Sequence, residues 1–303
     1  MQDAPAELPR LTLTSSRITV LVVSALLAAG AAYTGRELFL DLAGFSFSSP
    51  LPYVLLGLAL IVALGFEFVN GFHDTANAVA TVIYTHSLPP HVAVVWSGLW
   101  NFVGVLVSSG AVAFGIIALL PVELILQVGS AAGFAMVFAL LLAAIIWNLG
   151  TWYLGLPASS SHTLIGSIIG VGLVNELMQA GSATSGVDWS QASKIGYSLL
   201  LSPLIGFTSA ALVLLLMKSL TKNPTLFRAP EGRQPPPRWV RGLLILTCTG
   251  VSFAHGSNDG QKGMGLIMLI LIGTVPMAYA LNMAVPADEV HRFLAVSEQA
   301  TTT

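Results

Sequence analysis

Residues 51–87 read LPYVLLGLALIVALGFEFVNGFHDTANAVATVIYTHS. The first sixteen are uncharged and almost wholly apolar, enough for most of a membrane crossing, which needs about 20 such residues. Glu67, Asn70, His73, Asp74, Thr75 and Asn77 follow without a turn between them. Polar side chains placed directly after an apolar run are costly in lipid and mark a pathway or a site. Gly71 is a weak helix former, and Asn, Asp and Thr compete for backbone hydrogen bonds. As the alternative to a plain polar loop between two spans, the stretch therefore predicts a broken helix whose second half begins near Asp74 or Thr75. Its exposed N–H groups would form an anion site.

The same pattern extends outward. No Asp, Glu, Lys or Arg occurs in 18–35, 42–66, 75–122, 124–175, 195–217, 242–258 or 263–287. Charged residues make up 9% of the 303, against roughly a quarter in soluble domains, and mean hydropathy is +0.82. These gaps hold about seven to nine crossings, so the fold class is an all-α polytopic membrane protein, with broken or re-entrant helices among the spans. A pair of soluble domains, a disordered chain, a secreted disulfide scaffold and a nucleic-acid binder are excluded. The single cysteine, Cys248, permits no internal disulfide. No GxxxxGK[ST] sequence occurs, so ATP is not the energy source.

A second polar cluster is GLPASSSHTLIGSIIG, 155–170. Ser159, Ser160, Ser161 and Thr163 supply hydroxyls beside His162, and Pro157 favours a helix start with Ser159 or Ser160 as N-cap. A re-entrant hairpin fits, because irregular backbone at membrane depth survives only against protein or a cavity. Ordinary Ser/Thr helix packing is the plainer reading. A Ser–His nucleophile lacks its GxSxG elbow, and a metal hydrolase lacks HExxH.

The third cluster is SFAHGSNDGQKGMGLIMLIL, 252–271. Lys262 is costly there unless it faces Asp259, an anion or water. Setting GFHDTANA (71–78) against GSNDGQKG (256–263) matches Gly71 to Gly256 and Asp74 to Asp259, and puts His73 opposite Asn258 and Asn77 opposite Lys262. Polar breaks in corresponding positions of two halves point to a transporter site at a repeat interface. Hydroxyls and helix N-termini suit a tetrahedral oxyanion. Two Asp carboxylates would repel a bare anion, so a cation or proton must enter with it, and that is an argument for symport.

These segments resemble the inorganic phosphate transporter (Pit/PiT) family. NGFHDTANAVATVIYT and AHGSNDGQKGMGLIML are similar to its paired signatures of general form GANDVANA, and GLPASSSHTLIG resembles its PSSTH segment, with Ser161 where Thr is usual. The elements stand in family order from about residue 51 to about 280. The resemblance implies an inverted-repeat symporter of phosphate. Protons drive many bacterial members, with phosphate carried as a complex with a divalent metal, and sodium drives others. Sulfate is the alternative oxyanion.

Carried over by position, the resemblance implies substrate contacts from Ser159, Ser160, Ser161, Thr163, Thr75, Asn77, Ser257, Asn258 and Lys262. It assigns ion coupling to Asp74, Asp259, His73 and Asn70. His162, His255 and Glu67 are weaker members of the site. Asp74 and Asp259 are expected to act as a pair, one carrying a proton. No enzymatic activity and no resident cofactor are implied.

The expected organisation is a tail and first span at 1–50 and a first repeat at 51–217. A basic loop follows at 218–241, then the start of a second repeat at 242–285 and a polar tail at 286–303. Residues 18–32 read as a retained span, or alternatively as a signal peptide. Lys218, Lys222, Arg228, Arg233, Arg238 and Arg241 place the loop in the cytoplasm, for a multi-pass protein of the bacterial inner membrane. Family members carry a second hydroxyl hairpin that this sequence lacks. The second repeat is therefore expected to be incomplete and to be balanced by a homodimer or by a complementing C-terminal half. An inactive partial fragment is the alternative.

Overall fold

A computed structural model describes residues 13–43, 50–119, 131–178, 187–221, 223–229, 232, 234–275 and 279. Eight α-helices are described: α1 (Leu13–Leu42), α2 (Leu51–Tyr84), α3 (Pro90–Val107), α4 (Ala111–Leu119), α5 (Ala131–Tyr153), α6 (Ser160–Met178), α7 (Trp189–Leu220) and α8 (Arg238–Thr274). Prolines set several of their starts. Pro52 and Pro90 occupy first-turn positions of α2 and α3, where a missing N–H costs nothing. Asp188 caps α7, its Oδ1 accepting from the Ser190 and Gln191 amides at 2.9 and 3.0 Å.

Two helices end in the same way. At α5, Gly155 takes φ +66°, the Leu156 amide donates to Thr151 O at 2.8 Å and Gly155 N to Trp152 O at 3.0 Å. At α2, His86 takes φ +55° without being glycine, with Ser87 N reaching Val82 O at 2.9 Å. Arg241 Nε donates to Ser87 O at 2.7 Å, tying the start of α8 to the turn between α2 and α3.

Among the described residues, five stretches are long and apolar enough to cross a membrane: Arg17–Leu42, Leu51–Tyr84, Pro90–Val107, Gly133–Tyr153 and Trp189–Leu220. This is an all-α, multi-pass membrane protein. α6 and α8 are long but carry the polar clusters, and α4, at nine residues, is too short to span. The core is a stripe at helical spacing: Leu56, Ala59, Ala63 and Phe66 of α2 meet Leu140, Leu141 and Ala144 of α5, Leu164 and Ile168 of α6, and Leu266 and Ile270 of α8. Within the spans of α1 and α7 no residue is buried.

The broken helices expected at the first and third clusters do not form. α2 runs unbroken through Gly71–Asn77, and α8 runs unbroken through Gly256–Lys262. The glycines of the third cluster serve close packing instead. A Cβ on Gly256 would run into the Asn101 carbonyl of α3, and one on Gly260 into the Val105 side chain. A Cβ on Gly265 would meet Ala113 O of α4 at 2.9 Å. Polar contacts knit the same seam: Ser252 Oγ donates to Ser97 Oγ at 2.9 Å and Trp96 Nε1 to Thr249 Oγ1 at 2.8 Å. The helix start expected just after Pro157 is present: α5 ends at Tyr153 and α6 begins at Ser160. The expected tail at 286–303 lies outside the described residues.

Candidate functional site

α2, α6 and α8 bring five polar side chains together. His255 Nε2 lies 3.1 Å from Asp74 Oδ2 and 3.0 Å from Asp259 Oδ2. Lys262 Nζ lies 2.9 Å from Asp259 Oδ1 and donates to Ser160 Oγ at 3.2 Å. Ser160 Oγ reaches Asp74 Oδ2 at 3.5 Å. The circuit thus joins the first residue of α6 to both signature carboxylates. On α8, residues 255, 259 and 262 share one face because they are spaced four and three apart.

Asn101 of α3 orients the histidine. Its Nδ2 donates to Ser97 O at 3.0 Å, which turns Oδ1 toward His255 Nδ1, also 3.0 Å away. Nδ1 thus meets an amide oxygen, while Nε2 lies at ion-pair distance from both carboxylates without hydrogen-bond geometry to either. The ligand atoms of Asp74, His255 and Asp259 lie within 4.8 Å of one another, near enough to close on a cation. The Lys262 ammonium stands against the same cluster and competes with any such ion.

Next to Lys262 along α8, Gly263 receives the Glu67 side chain, where a Cβ would not fit. Glu67 Oε1 and Asn70 Oδ1 are buried without a hydrogen-bond partner, as are both side-chain polar atoms of Asn148 on α5. Buried polar atoms left unpaired are rare and costly.

The hydroxyl segment divides between two faces. Ser160 is 7% exposed and points into the circuit, in register with Leu164 and Ile168. Ser159, His162 and Thr163 line a groove of about 1430 Å³ between α5 and α6, together with Trp147 and Pro157. Ser159 caps α6: its Oγ faces the His162 amide at 3.4 Å and His162 Nδ1 at 2.8 Å. Thr163 Oγ1 turns back to Ser159 O at 3.0 Å. Ser161 is half-buried between the two faces. With α2 and α8 continuous, α6 offers the helix N-terminus of the three polar clusters.

Several expected contacts stand apart from the circuit. Thr75 Oγ1 donates to Gly71 O at 2.6 Å and Ser257 Oγ to Ala254 O at 3.0 Å, each within its own helix. Asn77 and Asn258 are exposed. His73 faces α5, its Nε2 2.9 Å from Asn148 O. Sequence reasoning did not single out Asn101, Asn148 or Gln261, whose Oε1 accepts from Val112 N at 3.0 Å and whose Nε2 donates to Ser257 O. Asn101 and Asn148 are lone amides in apolar spans, so the rule that flagged Asp74 applies to them equally.

Comparison with known proteins matches residues 70–297 to a family model described as the phosphate transporter family. The low-affinity inorganic phosphate transporter PitB of Escherichia coli K12 is 48% identical over 249 residues, covering 79% of this chain and 50% of that protein. PitA of the same strain is 49% identical with the same coverage. A probable low-affinity inorganic phosphate transporter of Bacillus subtilis is 38% identical over 219 residues, covering 72% of this chain and 60% of that protein. The chain spans about half the length of the Escherichia coli relatives it matches. No solved structure matches it.

Proposed function

This chain belongs to the phosphate transporter family, and from that membership and the site geometry we propose that it forms one side of a proton-coupled symporter site for inorganic phosphate. The observation that carries the reading is Ser160, which joins the helix start that would receive an anion to Asp74 and Lys262. The N–H groups at the start of α6 and the Ser161 hydroxyl provide the donors, joined by the Ser159 and Thr163 hydroxyls once they leave their contacts within the turn.

The charge balance supplies the coupling. Asp74 and Asp259 offset an imidazolium and an ammonium, so the circuit is neutral before phosphate arrives. An added phosphate leaves uncompensated negative charge in a low-dielectric site, which is expensive. A proton entering with it at the Asp74–Asp259 pair reduces that charge. A divalent cation entering as a metal–phosphate complex does the same. Phosphate also suits carboxylate neighbours better than sulfate, because near neutral pH it keeps an O–H to donate to them.

The open groove between α5 and α6 supports a site completed by further helices, from a second copy or a complementing half. In this reading the protein lies in the bacterial inner membrane with 218–241 in the cytoplasm. The test is uptake of radiolabelled phosphate by the chain in proteoliposomes with an imposed proton gradient. Gradient-dependent uptake competed by arsenate and not by sulfate supports the proposal, and competition by sulfate overturns the choice of anion. An inserted, folded chain that takes up nothing alone, but does so with the complementing half of a relative, supports the completed-site version. Failure with that half overturns phosphate transport.

A further inference from the structure

The seam where α8 crosses α2 holds a cation that cannot leave. In the internal alignment Asn77 stands opposite Lys262, yet the two residues meet different surroundings: Asn77 is exposed and the Lys262 side chain is 4% exposed. Both Asp259 oxygens are taken by protein cations, Oδ2 by His255 and Oδ1 by Lys262. The Ser160 hydroxyl completes the ammonium's shell at 3.2 Å. Next along the helix, Gly263 admits the Glu67 side chain, whose Oε1 is buried and unpartnered. Carboxylate and hydroxyl oxygens converging in a dry pocket are the ligand types that hold hard cations such as Na+. Here the ammonium occupies that pocket.

We propose that Lys262 is a tethered counter-cation standing where a free coupling metal ion would otherwise bind, and that it is the residue that keeps Na+ out of this half of the site. The chemistry is that of an ion site with its ion covalently attached. Lysine brings its charge on a flexible stem and cannot dissociate, so Asp259 stays compensated whether or not substrate is present. An asparagine at 262, as at 77, would leave Asp259 Oδ1 and the Ser160 hydroxyl facing a space from which the tethered ammonium has gone, with His255 still on Asp259 Oδ2. A small alkali cation would then enter it. The consequence for transport rests on the proton-coupled reading above, but the site's cation preference does not.

The experiment measures binding of radiolabelled Na+ to the purified full chain in nanodiscs, with choline as the replacement cation and no phosphate present. The wild-type chain is expected to show no saturable Na+ binding. Lys262→Asn is expected to gain it, with at least about a tenfold lower half-saturating concentration than any residual wild-type signal, close to 1.4 kcal/mol. Asp259→Asn/Lys262→Asn is expected to lose it again. Should Lys262→Asn fail to fold, Lys262→Gln reads the same quantity. Saturable Na+ binding by the wild type, a folded Lys262→Asn or Lys262→Gln without it, or binding that survives in the double variant each overturns the proposal. Phosphate uptake is assayed separately, so a chain that gains Na+ binding but moves no phosphate counts against the transport reading alone.

Discussion

Lys262 Nζ and Asp259 Oδ1 lie 2.9 Å apart, three residues from each other on α8, with side chains 4% and 18% exposed. Replacing one member of such a pair leaves the other charge buried and unmatched, which costs more than the pair ever contributes. Asp259→Asn is therefore expected to destabilise the chain by roughly 3 kcal/mol or more, lowering its unfolding temperature in detergent. Asp259→Asn/Lys262→Met should recover much of that loss. Equal destabilisation in the single and double variants would mean that the two residues do not compensate each other.

Glycine has opposite uses in the two signatures. A side chain at Gly256 meets the Asn101 backbone of α3, whereas nothing lies within 4 Å of a Cβ at Gly71. Gly256→Ala is expected to force α3 and α8 apart at about 1–3 kcal/mol. Gly71→Ala should be neutral or gain up to about 1 kcal/mol of helix propensity. Thermal unfolding of the two variants side by side decides whether α2 runs straight through this position. A strongly destabilised Gly71→Ala would point to a break there after all.

These glycines also show what the sequence made legible. Charge gaps identify an all-α membrane protein, and the polar clusters name Asp74, Asp259, Lys262 and Ser160 before any geometry is known. Helix continuity was not legible, because a glycine that breaks a helix and a glycine that admits a neighbouring helix look alike along one chain. The division of 159–163 into Ser160 on one face and Ser159, His162 and Thr163 on another follows from where α6 begins. One residue's shift of that start would rotate the whole set by about 100°. Asn101 escaped notice because it lies in α3, outside the three clusters, and reaches His255 only across the seam.

Ser160 and Thr75 both belong to the expected substrate set, but their hydroxyls are committed differently. Thr75 serves the Gly71 carbonyl of its own helix, and Ser160 bridges Asp74 and Lys262. Thr75→Val is expected to leave proton-driven phosphate uptake within about twofold of wild type. Ser160→Ala should lower it by about tenfold or more, the loss of a hydrogen bond to charged groups being roughly 1.5–3 kcal/mol. The reverse order of effects would move the substrate contact from α6 to α2.

Tyr279 donates to Asp41 Oδ2 of α1 at 2.7 Å. Burial, and then the neighbouring Asp41 carboxylate, push its phenol up to about 12 from an ordinary 10. A folded value above the unfolded one means that the contact's stabilisation is fully present below pH 10 and disappears as pH rises through about 12. Ultraviolet titration should show one late tyrosinate step that Tyr279→Phe removes. Loss of an earlier step instead would place the phenol away from Asp41.

The orientation of His255 is set from α3. Because Asn101 Nδ2 is committed to Ser97 O, its Oδ1 faces the ring, and His255 Nδ1 must carry a hydrogen to meet it. That leaves Nε2 directed at Asp74 and Asp259, 3.1 and 3.0 Å away. Nitrogen NMR of labelled histidine is expected to show Nδ1 protonated in the wild type. Asn101→Leu removes the acceptor without touching either carboxylate, so the ring is free to rotate or to change tautomer. Phosphate uptake in that variant should fall by about tenfold, roughly 1.4 kcal/mol, with a changed pH profile as well as a lower rate. A merely structural role for Asn101 would lower the rate and leave both the ring resonances and the shape of the profile unmoved. His255→Gln separates orientation from charge, since glutamine keeps a donor near the carboxylates but cannot become a cation. If His255→Gln retains wild-type proton dependence, the histidine positions the two aspartates and takes no part in balancing them.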